Sequence, residues 1–119
     1  MITVLLVEDS EVMRKAILNL LKDYPEVQML GAATSFAETM QTAATLRPQV
    51  VILDVHMHDE EGTTPAQVKS CLVGSRVLAI SVWKDEETKA LAESYGAVAL
   101  PDKANLAAEL IPAIKRSPN

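Results

Sequence analysis

The stretch ITVLLVEDS, residues 2–10, runs apolar to Val7 with Thr3 as its one polar residue, then turns abruptly to Glu8, Asp9 and Ser10. VVILD, residues 50–54, repeats the design: an apolar run that ends on an acid. A strand with one wet face alternates apolar and polar residues, so runs without alternation are expected of strands covered on both faces, as in a parallel sheet. The acids at their ends admit two readings. Asp9 or Ser10 could cap the helix that follows, or the carboxylates could hold a cation.

Outward from these runs the period changes. Val12, Met13, Ala16, Ile17, Leu20 and Leu21 recur at helical spacing with Arg14, Lys15, Asn19 and Lys22 between them, an amphipathic helix ended near Pro25. A strand over 27–33 leads to Ser35 and, three positions on, Glu38; this capping-box pairing opens a helix to about Leu46, and Pro48 closes the unit. Gly62 and Pro65 mark a loop into a short helix over 66–72, and RVLAIS (76–81) is the next buried strand. A charged helix over 84–95 has Gly96 at its C-cap, AVAL (97–100) makes a fifth strand, and 105–115 a last helix. Pro112 predicts a kink or an early end to that helix's regular part.

Five strands alternating with five helices predict an α/β fold, a doubly wound five-stranded parallel sheet with helices on both faces. Right-handed crossovers place every strand-to-helix loop on one edge, outside the carboxyl ends of the strands, where such sheets bind ligands. Glu8, Asp9, Asp54, Ser81 and Lys103 are therefore expected to converge, although nearly a hundred positions separate the first from the last.

Composition sets the bounds. A chain of 119 residues, 49% hydrophobic with four aromatics, reads as one domain with an aliphatic core. The net charge of −5 offers no electrostatic basis for gripping nucleic acid or anionic lipid. No segment is long enough to span a membrane, and the single cysteine, Cys71, cannot form an internal disulfide; a cytoplasmic protein is the expectation. Cys71 is expected to be buried.

Three crowded carboxylates repel unless a cation intervenes, and carboxylates with water are the usual way proteins hold Mg²⁺. A carboxylate can also attack phosphorus, forming an acyl phosphate, while a metal and a lysine neutralise the oxygens in transit. Asp54 is the best nucleophile, Asp9 the expected direct metal ligand, Glu8 a neighbour that acts through water, and the backbone carbonyl of His56 a further oxygen. Lys103 would meet one phosphoryl oxygen and the Ser81 hydroxyl another.

On VEDS, VVILDVHM, Gly62 eight positions after Asp54, LAISVW with Ser81 and GAVALPDK with Lys103, the chain resembles the receiver domain of two-component response regulators over nearly its whole length. The resemblance implies a flavodoxin-like (βα)5 sheet of order 2-1-3-4-5, with residues 1–116 as the domain and 117–119 as a tail or the start of a linker. It implies Mg²⁺-dependent phosphoryl transfer from a sensor histidine kinase to Asp54, with Ser81 as the switch hydroxyl that rearranges the surface of helix 4, strand 5 and helix 5. The domain would catalyse only its own phosphorylation and dephosphorylation and would not otherwise be an enzyme. Partners it admits are a C-terminal output domain or partner protein and a homodimer formed on phosphorylation; direct nucleic-acid binding and a membrane are not expected.

The sequence also departs from the family. His58 stands where a proline is common, Ala104 follows Lys103 where proline is usual, and Leu100 occupies the position of a switch aromatic. These motivate an alternative: a phosphorylation-independent, receiver-like interaction module. An aspartate phosphatase is the enzyme-class rival, but that chemistry places its two acids as D-x-D, whereas Glu8 and Asp9 are adjacent. A G-x-G-x-x-G after the first strand, which dinucleotide binding would need, is missing. By the bland readings, Lys103 is a solvated lysine, Ser81 satisfies a backbone group, Met13, Met29 and Met40 fill the core, and His56, His58 and Trp83 are loop residues.

Overall fold

The structure, a computed structural model, describes residues 1–57 and 62–116. The expectations on His58 and on residues 117–119 lie outside the described residues. The elements are β1 (Ile2–Val7), α1 (Glu11–Leu21), β2 (Val27–Ala33), α2 (Phe36–Leu46), β3 (Val50–Asp54), α3 (Pro65–Cys71), β4 (Arg76–Ile80), α4 (Glu86–Ser94), β5 (Ala97–Ala99), a 3-10 turn (Lys103–Asn105) and α5 (Leu106–Lys115). All strand pairs are parallel, in the order β2-β1-β3-β4-β5.

Strand alternation divides the core into two layers. Leu5 and Val7, Val51 and Leu53, and Val77 and Ala79 pack with Phe36, Val68, Leu72, Ala92 and Tyr95, from the side of α2, α3 and α4. Val4 and Leu6, Val50 and Ile52, and Leu78 and Ile80 pack with Ile17, Leu21, Leu110 and Ile114 of α1 and α5. The central strands carry apolar residues at nearly every position because both faces are covered. Glu8 and Asp54 fall next in the even-numbered series, at the carboxyl end of the sheet.

The helix starts are set by side-chain caps. Ser10 accepts the Met13 N–H, so Ser10 and not Asp9 is the N-cap of α1. Ser35 accepts the Glu38 N–H, while the Glu38 carboxylate reaches back to the Thr34 N–H at 2.7 Å, one residue before the expected partner. Thr64 and Gln67 form a full capping box on α3, with Pro65 as the first helical residue and not a loop residue. Gly96 has φ +84°, and a Cβ there would come within 3.1 Å of Lys69 Cγ, so glycine is needed for both conformation and space.

One expectation is corrected, and of the two outcomes expected at Pro112 one does not occur. Cys71 is exposed: Val68 and Leu72, one turn apart, carry the buried stripe of α3 and its C-cap, and Cys71 lies off it. Helix α5 does not end at Pro112 but runs through it to Lys115. Pro112 is exposed, so the Ala108 carbonyl it leaves without a helical partner lies on the wet side. The last turn is held from below by Arg76 of β4, whose Nη2 donates to the Ala113 and Ile114 carbonyls at 2.9 and 2.8 Å. Met13, Met29 and Met40 do pack against the core, each partly buried.

Candidate functional site

The first residue past β1, Glu8, is fully buried, and its N–H donates to the Ala33 carbonyl of neighbouring β2. Its Oε2 accepts the Ser10 N–H at 3.1 Å, and its Oε1 lies 2.8 Å from Lys103 Nζ. Asp54, the last residue of β3, is 4% exposed. Its Oδ1 accepts the His56 N–H at 3.0 Å and its Oδ2 lies 3.2 Å from the same Lys103 Nζ. The lysine is thus a bridge between the tips of β1 and β3 and is not a solvated side chain. Asp9 is exposed, and carboxylate oxygens of Glu8, Asp9 and Asp54 lie within 4.8 Å of one another.

Burial is the chief influence on Glu8 and raises its pKa above the ordinary glutamate range, while the Lys103 contact pulls the other way. For Lys103, burial favours the neutral amine, but the hydrogen bond to Glu8 and the charges of Asp54 and Glu8 outweigh it and hold the pKa above the ordinary lysine value. Three carboxylates against one ammonium leave an excess of two negative charges among these four groups. The donor set is all hard oxygen, without thiolate or imidazole, and so fits Mg²⁺ far better than a softer metal.

The other side of Asp54 is built from two loops. Ser81, just past β4, is buried; its Oγ accepts the Trp83 N–H at 2.9 Å, which leaves the single hydroxyl proton to donate elsewhere. Ser81 pairs across to Asp102, and its carbonyl accepts the Lys103 N–H at 2.9 Å, so the residues carrying hydroxyl and ammonium are tied together. Ala104 donates its N–H to Asp102 Oδ1 at 2.8 Å, a bond that a proline at that position could not make. None of the described peptide bonds is cis. Leu100 lies just beyond β5, partly buried against the layer of α2, α3 and α4.

The five residues expected at the edge, Glu8, Asp9, Asp54, Ser81 and Lys103, are therefore all at the carboxyl ends of the strands. The His56 side chain is exposed and lines an open groove with Trp83, Asp85, Thr88 and Leu91. Sequence reasoning gave no part to Asp102, Lys84 and Glu109. Their signal was slight: Glu109 is the sole acid of α5, six positions after Lys103.

The family described as "Response regulator receiver domain" matches over residues 4–115. A protein-glutamate methylesterase/protein-glutamine glutaminase of Geobacillus kaustophilus is 34% identical over 99 residues, 82% of this chain and 28% of that protein. The DNA-binding transcriptional activator DevR/DosR of Mycobacterium tuberculosis is 42% identical over 62 residues, 52% of this chain and 29% of that protein. The chain thus matches under a third of the length of either relative. Among solved structures, the response regulator domain of Thermotoga maritima CheB superposes with a TM-score of 0.81 at 23% identity, covering 97% of this chain and 94% of that one.

Proposed function

The chain belongs to the response regulator receiver family, and from that premise we propose that it is a phosphorylation switch in which Asp54 accepts a phosphoryl group from a sensor histidine kinase. One observation carries this reading: a buried strand-end carboxylate, Asp54, stands beside two further acids and an ammonium 3.2 Å from its Oδ2. In the transfer, an Asp54 oxygen bonds phosphorus as the P–N bond to the donor imidazole breaks, and that nitrogen keeps the electron pair. Lys103, already charged at neutral pH, neutralises a phosphoryl oxygen, and the free proton of Ser81 serves another. Glu8, Asp9, Asp54 and the His56 carbonyl would hold Mg²⁺, Glu8 through water. The bound ion would supply charge neutralisation at the phosphoryl oxygens.

On this reading residues 1–116 are the whole switch, a cytoplasmic domain that is not an enzyme beyond its own phosphorylation and dephosphorylation. The readout surface is α4, β5 and α5. It would act on a partner protein or C-terminal output domain, or through a homodimer formed on phosphorylation, without gripping nucleic acid itself. His56, exposed and two residues after Asp54, would tune the hydrolysis of the acyl phosphate. The test is incubation with acetyl phosphate and Mg²⁺. A hydroxylamine-labile phosphate on the wild type but not on Asp54→Asn is expected, and none without Mg²⁺. A wild type that takes no phosphate would turn the assignment to the alternative, a phosphorylation-independent interaction module, which Leu100 and Ala104 favour.

A further inference from the structure

The loop that carries Lys103 is anchored from α5. Glu109 Oε1 accepts the Asp102 N–H at 3.1 Å and lies 3.4 Å from the Lys84 ammonium. Asp102, next to Lys103, is held further: its Oδ1 accepts the Ala104 N–H, its carbonyl the Asn105 N–H, its Oδ2 lies 3.8 Å from Lys84 Nζ, and its backbone pairs with Ser81. Lys84 itself belongs to the loop between Ser81 and α4. One carboxylate on α5 therefore touches both loops that deliver the hydroxyl and the ammonium to Asp54. This bracket stands where the chain has neither a proline after Lys103 nor an aromatic at position 100.

We propose that Glu109 is a positioning residue of the phosphoryl site, which sets the reach of Lys103 towards Asp54 by holding the Asp102 backbone and so ties α5 directly to the reaction centre. The inference rests on Asp54 being the phosphoacceptor. Within the bracket the hydrogen bond outweighs the ion pair. The Lys84 side chain is 51% exposed and Glu109 34%, and ion pairs of that exposure contribute little. The Asp102 N–H is partly buried, so leaving it without its acceptor costs more than removing an exposed charge. The acceptor atom should therefore matter more than the charge.

The experiment compares Glu109→Ala, which removes the acceptor, with Glu109→Gln, which keeps an oxygen acceptor and drops the charge. Each is incubated with acetyl phosphate and Mg²⁺, where an Asp54 oxygen bonds phosphorus as the P–O bond breaks and acetate leaves with the electron pair. E109A is expected to be phosphorylated about tenfold more slowly, because small misplacements of a charge-neutralising group cost at least that much. E109Q should recover to within about threefold of wild type, since the hydrogen bond it keeps is the dominant contact. Mg²⁺ affinity, measured by calorimetry, should not fall in E109A, because a Lys103 drawn away from Glu8 and Asp54 leaves their charge to the ion; a general loosening of the fold would weaken it. Both variants keep good helix formers on an α5 face that is a third exposed, and circular dichroism verifies that they fold. E109A at the wild-type rate, or E109Q as slow as E109A, overturns the inference while leaving Asp54 as phosphoacceptor. A wild type that takes no phosphate, with Lys103→Ala equally inert, overturns both.

Discussion

The two flanks of Asp54 are held in different ways. On the acidic flank, Glu8 follows β1 directly, is fully buried, and is fixed by the sheet itself through the Ala33 carbonyl and by the start of α1 through Ser10. On the opposite flank, Ser81 and Lys103 follow short strands into longer loops, and their places depend on a web of loop hydrogen bonds through Trp83, Asp102 and Ala104. The first flank is a consequence of strand burial and hardly needs further support. The second is assembled residue by residue, and Leu100 and Ala104 both lie on it. Acids fixed by the sheet, met by a hydroxyl and an ammonium held through loops, are the arrangement expected if one side keeps a metal and the other responds to the phosphoryl group.

The sharpest way to break that contrast is to remove the one residue that crosses it. Lys103→Met leaves Glu8 buried beside Asp54 without its counter-ion, and we expect a loss of about 3 kcal/mol at pH 7 in urea unfolding, as for other broken buried pairs. The same variant should gain more stability from Mg²⁺ than the wild type, because the acids have lost their internal cation. Equal gains would mean that the lysine and the ion do not address the same charges. A second variant tests whether the site can be separated from the stability of the elements beneath it. Arg76→Met removes two charged hydrogen bonds to the end of α5, at the far end of β4 from the site. It should cost about 2 kcal/mol while phosphorylation of Asp54 stays at the wild-type rate.

The smallest effect is a pH dependence. Burial holds the Glu8 pKa above its ordinary value, so folding takes up a proton there. This group's contribution favours the fold most at acid pH and is lost as pH rises from the ordinary glutamate range through the raised value. Glu8→Gln should flatten the stability profile in that window, by at most about 1.4 kcal/mol per pH unit for one proton. An unchanged profile, followed by thermal unfolding across that range, would show that Lys103 already compensates the buried charge in full.

Much of the fold was legible because it rests on local pattern. Unbroken apolar runs at 2–7 and 50–54 identified central strands, and Ser35 with Glu38 located a helix start to the residue. The convergence of Glu8, Asp9, Asp54, Ser81 and Lys103 followed from topology alone. What stayed hidden depends on contacts between distant segments. The Glu8–Lys103 pair joins residues 95 positions apart, and no periodicity shows that the ammonium leans on β1 as well as β3. At Pro112 local pattern leaves a kink or an early end open, whereas Arg76, which caps the last turn of the same helix, sits 36 positions upstream. Cys71 was read as buried from residue type, although a one-position offset from the Val68 and Leu72 stripe decides its exposure.

Trp83 is the sole tryptophan of the chain and 60% exposed, and its amide is bound to the hydroxyl of Ser81. The Oγ that accepts this amide is also the one whose proton would serve a phosphoryl group on Asp54, so a shift of Ser81 there would be felt at the peptide that carries the indole. Its emission, readable at a single excitation without dye or label, is therefore expected to change when acetyl phosphate and Mg²⁺ are added to the wild type and to stay constant in Asp54→Asn.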